Sequence, residues 1–209
     1  ARDLNKDLIR DIEIDLGKDE VTDRTFHNGR QTKLGLDKTY SSFKMLKRII
    51  TPVYMSVLSR YGVKDDFIIH GTELKNFWGN VIYQQGGFSE PHIHGNGNTF
   101  FTGVYYPNGI EDEKEDLENF NKEDWISYNM SKEERQGCLC LMDGSRHHKE
   151  AVSPEFDKVY KPDVFATRTW VKPRQSLLLI FPVWMQHMVY PVMDNLPRYS
   201  ISFSINRKK

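Results

Sequence analysis

Seven histidines occur in the 209 residues, and two of them stand apart by their spacing. In PHIHGNGNTFFTGVYYP, His92 and His94 flank a single residue. Alternate side chains on an extended strand project from one face, which brings two such imidazoles together. Imidazole nitrogen suits iron, copper, nickel and zinc. A pair is not a complete site, so a third ligand must come from elsewhere in the chain. His187, in QSLLLIFPVWMQHMVYP, is the candidate, because it follows an apolar run and a proline-containing turn and opens another run. Metal binding by His92, His94 and His187 is the expectation. His27 and His70 lie among unrelated residues and read as surface or core histidines. His147 and His148 are adjacent, so on an extended chain they face opposite ways; they read as facing solvent or substrate.

Several elements must hold those imidazoles in place. From Ser41 to Tyr61, Phe43, Leu46, Ile49, Ile50, Val53, Val57 and Leu58 recur at helical intervals. Pro52 interrupts them, which predicts two helical pieces or one kinked helix. Upstream, DIEIDL alternates like a short strand. After Gly62 the chain becomes a series of short runs rich in β-branched and aromatic residues: FIIH, LKNFWGNVIYQQ, NTFFTGVYYP, GCLCLMD, TRTWV, QSLLLIFPV, HMVYPVM and RYSISFSIN. Gly, Pro, Asn and Asp punctuate them. The expected fold is mainly β with helical support, an antiparallel jelly-roll barrel (a double-stranded β-helix) covered on one side by the amino-terminal helix. One domain spans 1–209, with helical support over 1–66 and a jelly-roll core over 67–209. A densely charged insertion over about 111–165 reads as a lid, a substrate-binding loop or a solvated excursion.

Composition narrows the partners. Lys and Arg total 29 against 29 Asp and Glu, which gives no electrostatic reason to expect nucleic acid or an anionic membrane surface. No apolar stretch approaches the roughly 18 residues of a membrane span. The amino-terminal segment ARDLNKDLIRDIEIDLGKDE is too charged for a signal peptide. Cys138 and Cys140 are two apart, on one face of a strand, and poorly placed for an ordinary disulfide. A reducing, cytoplasmic setting follows as the expectation.

The motifs together carry a family resemblance. WGNV (Trp78 to Val81), HIH, TGVYY and FPVWMQH, followed by RYSISF, occur in an order that resembles the iron(II)/2-oxoglutarate-dependent dioxygenases. They are most similar to the 2OG-Fe(II) oxygenase group found in bacteria and phages, which is related to prolyl 4-hydroxylases. The resemblance covers about residues 74 to 206. It implies that His92, His94 and His187 hold iron(II), and that Arg198, eleven residues after His187, binds the distal carboxylate of 2-oxoglutarate. A planar guanidinium suits that role, because it meets a carboxylate with two parallel hydrogen bonds. Ser200, on the same strand face as Arg198, adds a donor. Tyr105, through TGVYY, aligns with a cosubstrate-binding tyrosine, and Tyr83 is a second phenol that could reach the cosubstrate. Dioxygen would be a further substrate, and a peptide or protein side chain or a small molecule would be hydroxylated.

One departure tempers the likeness. Most such enzymes carry a carboxylate where His94 stands. Glu90, on the same strand face by spacing, or the more distant Asp143, could supply one. The same letters also fit a cupin-type metalloenzyme that does not use 2-oxoglutarate, with Gly86 before His-x-His and Pro182 before His187; Arg198 separates the two readings. A non-catalytic binding protein on the same barrel is the third reading. Oligomeric state is not legible from one sequence.

Overall fold

The computed structural model describes residues 2–18, 26–83, 86–94, 97–109, 126–127, 130–142, 168–193 and 196–208. The chain opens with α1 (Arg2–Leu16). Its segment DIEIDL, expected as a strand, is the last turn and a half of this helix. Leu8, Ile12 and Leu16, four residues apart, are fully buried, whereas Ile14 is 46% exposed. The strand-like alternation came from Ile14, which faces solvent and contributes nothing to the core. Burying each of the other three stabilises the packed helix by about 2 kcal/mol.

Two short strands follow, β1 (Phe26–His27) and β2 (Gly29–Gln31), so the expected helical support also contributes edge strands. Then come α2 (Leu36–Thr39), α3 (Ser41–Arg60) and α4 (Asp65–Gly71). The α3 helix runs unbroken through Pro52. Phe43, Leu46, Ile50, Tyr54 and Leu58 form its buried stripe. The run FIIH, expected among the strands, is helical and lies in α4, which crosses the expected boundary at 66. Only Ile68 of that run is buried, so its apolar letters do not line one strand face.

The remaining strands are β3 (Thr72–Ile82), β4 (Phe88–His92), β5 (Thr99–Tyr105), β6 (Ile126–Ser127), β7 (Leu139–Met142), β8 (Arg168–Val171), β9 (Leu178–Pro182), β10 (Gln186–Val189) and β11 (Arg198–Arg207). They form two antiparallel sheets: a five-stranded one in the order β2-β3-β11-β5-β9 and a six-stranded one in the order β1-β4-β10-β7-β8-β6. This is the jelly-roll arrangement, with the described strands facing one another as two sheets and not closing into a barrel. Most of the charged insertion, including His147, His148 and Asp143, lies outside the described residues.

The five-stranded sheet has two distinct faces because side chains alternate along each strand. Ile201, Phe203 and Ile205 of β11, Phe77 and Val81 of β3 and Tyr105 of β5 pack with the buried stripes of α1 and α3. The intervening Arg198, Ser200, Ser202 and Ser204, with Trp78 and Asn80, turn to the cavity between the sheets. Two glycines in the sequence motifs allow close approach. A Cβ on Gly79 would lie 2.6 Å from Ile12 Cγ1, and one on Gly103 would collide with the Phe203 ring. A register shift opposite Phe203 places Asn76, at φ 55°, in a bulge of β3. The bulge keeps both Leu74 and Phe77 in the helix-facing core.

Candidate metal and cosubstrate site

The three histidines expected to converge do so. His187 of β10 is the direct cross-strand partner of His92 at the end of β4, and His94 follows two residues on. One nitrogen from each of the three rings lies within 4.8 Å of the others. His187 Nε2 is 3.0 Å from His94 Nε2. Two nitrogens bound at right angles to one metal ion at about 2.1 Å would stand about 3 Å apart, so this pair has the spacing a metal demands.

Backbone carbonyls fix the tautomers. His92 Nδ1 donates to the Glu90 carbonyl at 2.7 Å, and His187 Nδ1 donates to the Met185 carbonyl at 3.1 Å. A neutral imidazole protonated at Nδ1 keeps its Nε2 lone pair for a metal. His187 is 5% exposed. Burial first, and then the neighbouring rings of His92 and His94, push its pKa down to about 3. It is therefore held in the neutral state that ligation requires. The edge of Phe181 packs on His187, and that of Trp78 on His94, with centroids 5.0 and 5.5 Å apart. The donor set fits iron(II).

Glu90 does not supply a missing carboxylate. The β4–β10 register shifts between His92 and Ser89, so Glu90 and the N–H-lacking Pro91 sit in a bulge. That bulge breaks the alternation by which Glu90 would share a face with His92. Glu90 is exposed and accepts from His27 Nε2 at 2.7 Å. His27 thus has a structural partner, and His70 lies exposed 3.9 Å from Asp66. Among the described residues the triad is all imidazole.

Arg198 opens β11 and lines the same cavity as the histidines, a space of about 390 Å³. It is 5% exposed. Its Nε donates to the Gly137 carbonyl at 2.9 Å and its Nη2 to the Tyr106 hydroxyl at 3.3 Å. Among the described residues no carboxylate pairs with it. A buried cation without a counter-ion is expensive, which makes this guanidinium a candidate partner for an anion. Ser200 lines the cavity beside Arg198.

The two expected tyrosines lie elsewhere. Tyr105 points to the helical layer, where its hydroxyl donates to Asn5 Oδ1 at 2.7 Å. Tyr83 donates to the Glu13 carboxylate at 3.0 Å, on the same side of the sheet. Neither lines the cavity. The phenol beside Arg198 is Tyr106, one residue on from Tyr105 and fully buried. Burial raises its pKa while the Arg198 charge opposes that rise. The parity of TFFTGVYY carries the signal that would have found it, since Tyr105 shares its face with Phe101 and Gly103, and Tyr106 shares its face with Thr102 and Val104.

Comparison with known proteins agrees with this geometry. Residues 76–204 match the family described as "Putative 2OG-Fe(II) oxygenase". That span is more than half of the chain, and the protein belongs to this family of 2-oxoglutarate- and iron(II)-dependent oxygenases. The cupin reading falls with that assignment. No curated protein matches the chain in sequence. Among solved structures, a prolyl-4-hydroxylase from Pseudomonas putida superposes with a TM-score of 0.57 at 13% identity, over 99% of this chain and 86% of that one. HygX from Streptomyces hygroscopicus, solved with nickel, 2-oxoglutarate and hygromycin B bound, gives 0.56 at 13% identity over 99% and 79%. A viral collagen prolyl hydroxylase from Paramecium Bursaria Chlorella virus-1, in a 2-oxoglutarate complex, gives 0.55 at 12% identity over 100% and 92%. At these identities the likeness is one of fold. No helix among the described residues is long and apolar enough to cross a membrane.

Proposed function

We propose that His92, His94 and His187 are the iron(II) ligands and that Arg198 binds the distal carboxylate of 2-oxoglutarate, with Ser200 and the Tyr106 hydroxyl beside it. The observation that carries this reading is the buried guanidinium of Arg198, without a carboxylate partner among the described residues, in the same cavity as three converging imidazoles. Bound there, iron(II) with 2-oxoglutarate supplies the oxidative decarboxylation that drives hydroxylation of a C–H bond by dioxygen. The chain's own part is positional. The carbonyls of Glu90 and Met185 orient two of the ligands. Arg198 offers its guanidinium to a carboxylate, held in place by Gly137 and Tyr106. Trp78 and Phe181 exclude water from the sides of the imidazoles.

The primary substrate on this reading is a peptide side chain or a small molecule. Similar folds accommodate both, since a Trichoplax adhaerens prolyl hydroxylase has been solved with a peptide fragment, and HygX with hygromycin B. The chain acts as one oxygenase domain. Its two free, buried cysteines suit a reducing cytoplasmic setting.

Anaerobic titration of metal-free protein with iron(II), then with 2-oxoglutarate, tests the reading through the visible charge-transfer band of the chelate. The band is expected in the wild type and weakened in His94→Ala and Arg198→Ala. Iron binding without a band removes 2-oxoglutarate from the reading. No iron binding leaves a non-catalytic binder on the same fold.

A further inference from the structure

Two residues that line the cavity carry side-chain oxygens left without a hydrogen-bond partner among the described residues. Gln31 of β2 and Asn80 of β3 are direct cross-strand partners, and both line the cavity. Asn80 is 4% exposed, and its Nδ2 donates to Ser202 Oγ at 3.1 Å. Its Oδ1, like Gln31 Oε1, is buried with no hydrogen-bond partner among the described residues. Buried amide oxygens left unpaired are unfavourable, so two of them side by side call for donors from outside the chain.

The sheet order separates this pair from the cosubstrate. β2 and β3 lie on one flank of β11, and β5 lies on the other. The Arg198 guanidinium turns to the β5 flank, towards the Tyr106 hydroxyl. Two acceptor oxygens also repel a carboxylate. The group they await is a donor, and its charge is constrained. No Asp, Glu or Lys is among the described residues that line the cavity, and Arg198 is the charged side chain there. With no carboxylate among the described lining residues to pair with it, an ammonium or guanidinium is disfavoured there. A neutral donor remains, and a planar NH2 is the kind that can serve two acceptors from one atom.

The spacing of directly opposed strand positions is of the order such a group needs. The two N–H bonds of a planar NH2 diverge so that acceptors about 2.9 Å from the nitrogen stand about 5 Å apart. Directly opposed side chains on antiparallel strands have Cβ atoms about 4.5–5.5 Å apart. Phe26, Leu34 and Ile93 also line the cavity and offer apolar surface to the rest of such a molecule. We infer that Gln31 and Asn80 form a two-oxygen clamp for the NH2 of a neutral primary carboxamide carried by the primary substrate. The inference rests on the iron and 2-oxoglutarate reading for the chemistry that follows, while the clamp itself is testable apart from it.

The test titrates butyramide, butyrate and butylammonium into the anaerobic protein loaded with iron(II) and 2-oxoglutarate, reading the shift of the visible band. Gly-Gln-Gly against Gly-Glu-Gly then separates a peptide carboxamide from a free one. The same probes are followed by backbone-amide chemical shifts in metal-free protein, which reads the clamp without the band. Carboxamides are expected to bind about tenfold tighter than their acids and amines, the loss of one such hydrogen bond being worth about that factor. Gln31→Leu is expected to erase the preference, and Gln31→Glu to turn it towards butylammonium, which a purely structural glutamine would not do. Equal binding of the three probes, or binding of none, overturns the clamp. Weakened 2-oxoglutarate binding in Gln31→Leu overturns it too, by giving these oxygens to the cosubstrate. A carboxamide preference in the chemical shifts with no visible band in wild type keeps the clamp and sinks the iron reading.

Discussion

His187 stands directly opposite His92 in the β4–β10 ladder, although 95 positions separate them in the chain. On the proposed reading, the pairing fixes two of the three metal ligands on neighbouring strands. Replacing His187 by Ala removes a proposed ligand that burial holds neutral. Iron(II) affinity is expected to fall by on the order of 100-fold, at least what loss of an outer-sphere partner costs, as calorimetry would register. His94→Asp restores the more common carboxylate and is expected to retain iron, with the charge-transfer band shifted.

Arg198→Lys keeps the charge and loses the planar fork. The affinity for 2-oxoglutarate is expected to fall about tenfold to a hundredfold, on the loss of one charge-assisted hydrogen bond. Iron binding should be unaffected, because Arg198 touches none of the three histidines through the hydrogen bonds described. A titration that finds 2-oxoglutarate binding unchanged would remove Arg198 from the site.

Gly103→Ala and Gly79→Ala probe the helix-facing side of the sheet. A Cβ at Gly103 meets the Phe203 ring and stands 2.8 Å from the Leu179 carbonyl oxygen; one at Gly79 meets Ile12. Both substitutions overpack the core and are expected to destabilise by about 1–3 kcal/mol. Urea denaturation should show a lower midpoint with an unchanged slope. The Gly79 variant has a milder neighbour, since Ile12 is a side chain able to shift.

Alkaline pH should loosen the hold of α1 on the sheet. Burial and the Glu13 carboxylate raise Tyr83 to about 12 and push Tyr199 above its ordinary value as well. A phenol whose folded pKa is raised contributes stability that is full below pH 10 and is lost as pH climbs through the folded value. Circular dichroism against pH is expected to show stability declining from about pH 10 upward. The Tyr83→Phe/Tyr199→Phe double variant should lose stability at neutral pH and show a flatter decline above 10. An identical alkaline decline in the double variant would assign it to other groups.

Much of this was legible in the letters, for identifiable reasons. The convergence of His92, His94, His187 and Arg198 on one cavity was legible because the strands that carry or flank them keep their order and spacing. Strands β3, β5 and β7 to β11 announced themselves as short apolar runs between turn residues. Parity was harder to read. Tyr105 and Tyr106 are both aromatic, and their facing depends on the register of β5 against β11, a non-local fact. Glu90 was misplaced by a bulge that one proline introduces. DIEIDL and FIIH were too short to distinguish a period of 2 from one of 3.6, and the tertiary contacts of α1 and the position of α4 decided them. Gln31 and Asn80 gave no local signal, since their meaning comes from standing opposite each other across two strands.

The alternation along RYSISFSIN has a practical consequence for anyone wishing to change what the protein acts on. Ser200, Ser202 and Ser204 belong to the cavity, while Ile201, Phe203 and Ile205 belong to the helices behind it. The strand can therefore be edited at every second letter. New chemistry written into the serines leaves the intervening residues to keep the scaffold upright, and selection acting on diet and selection acting on durability are given separate alphabets.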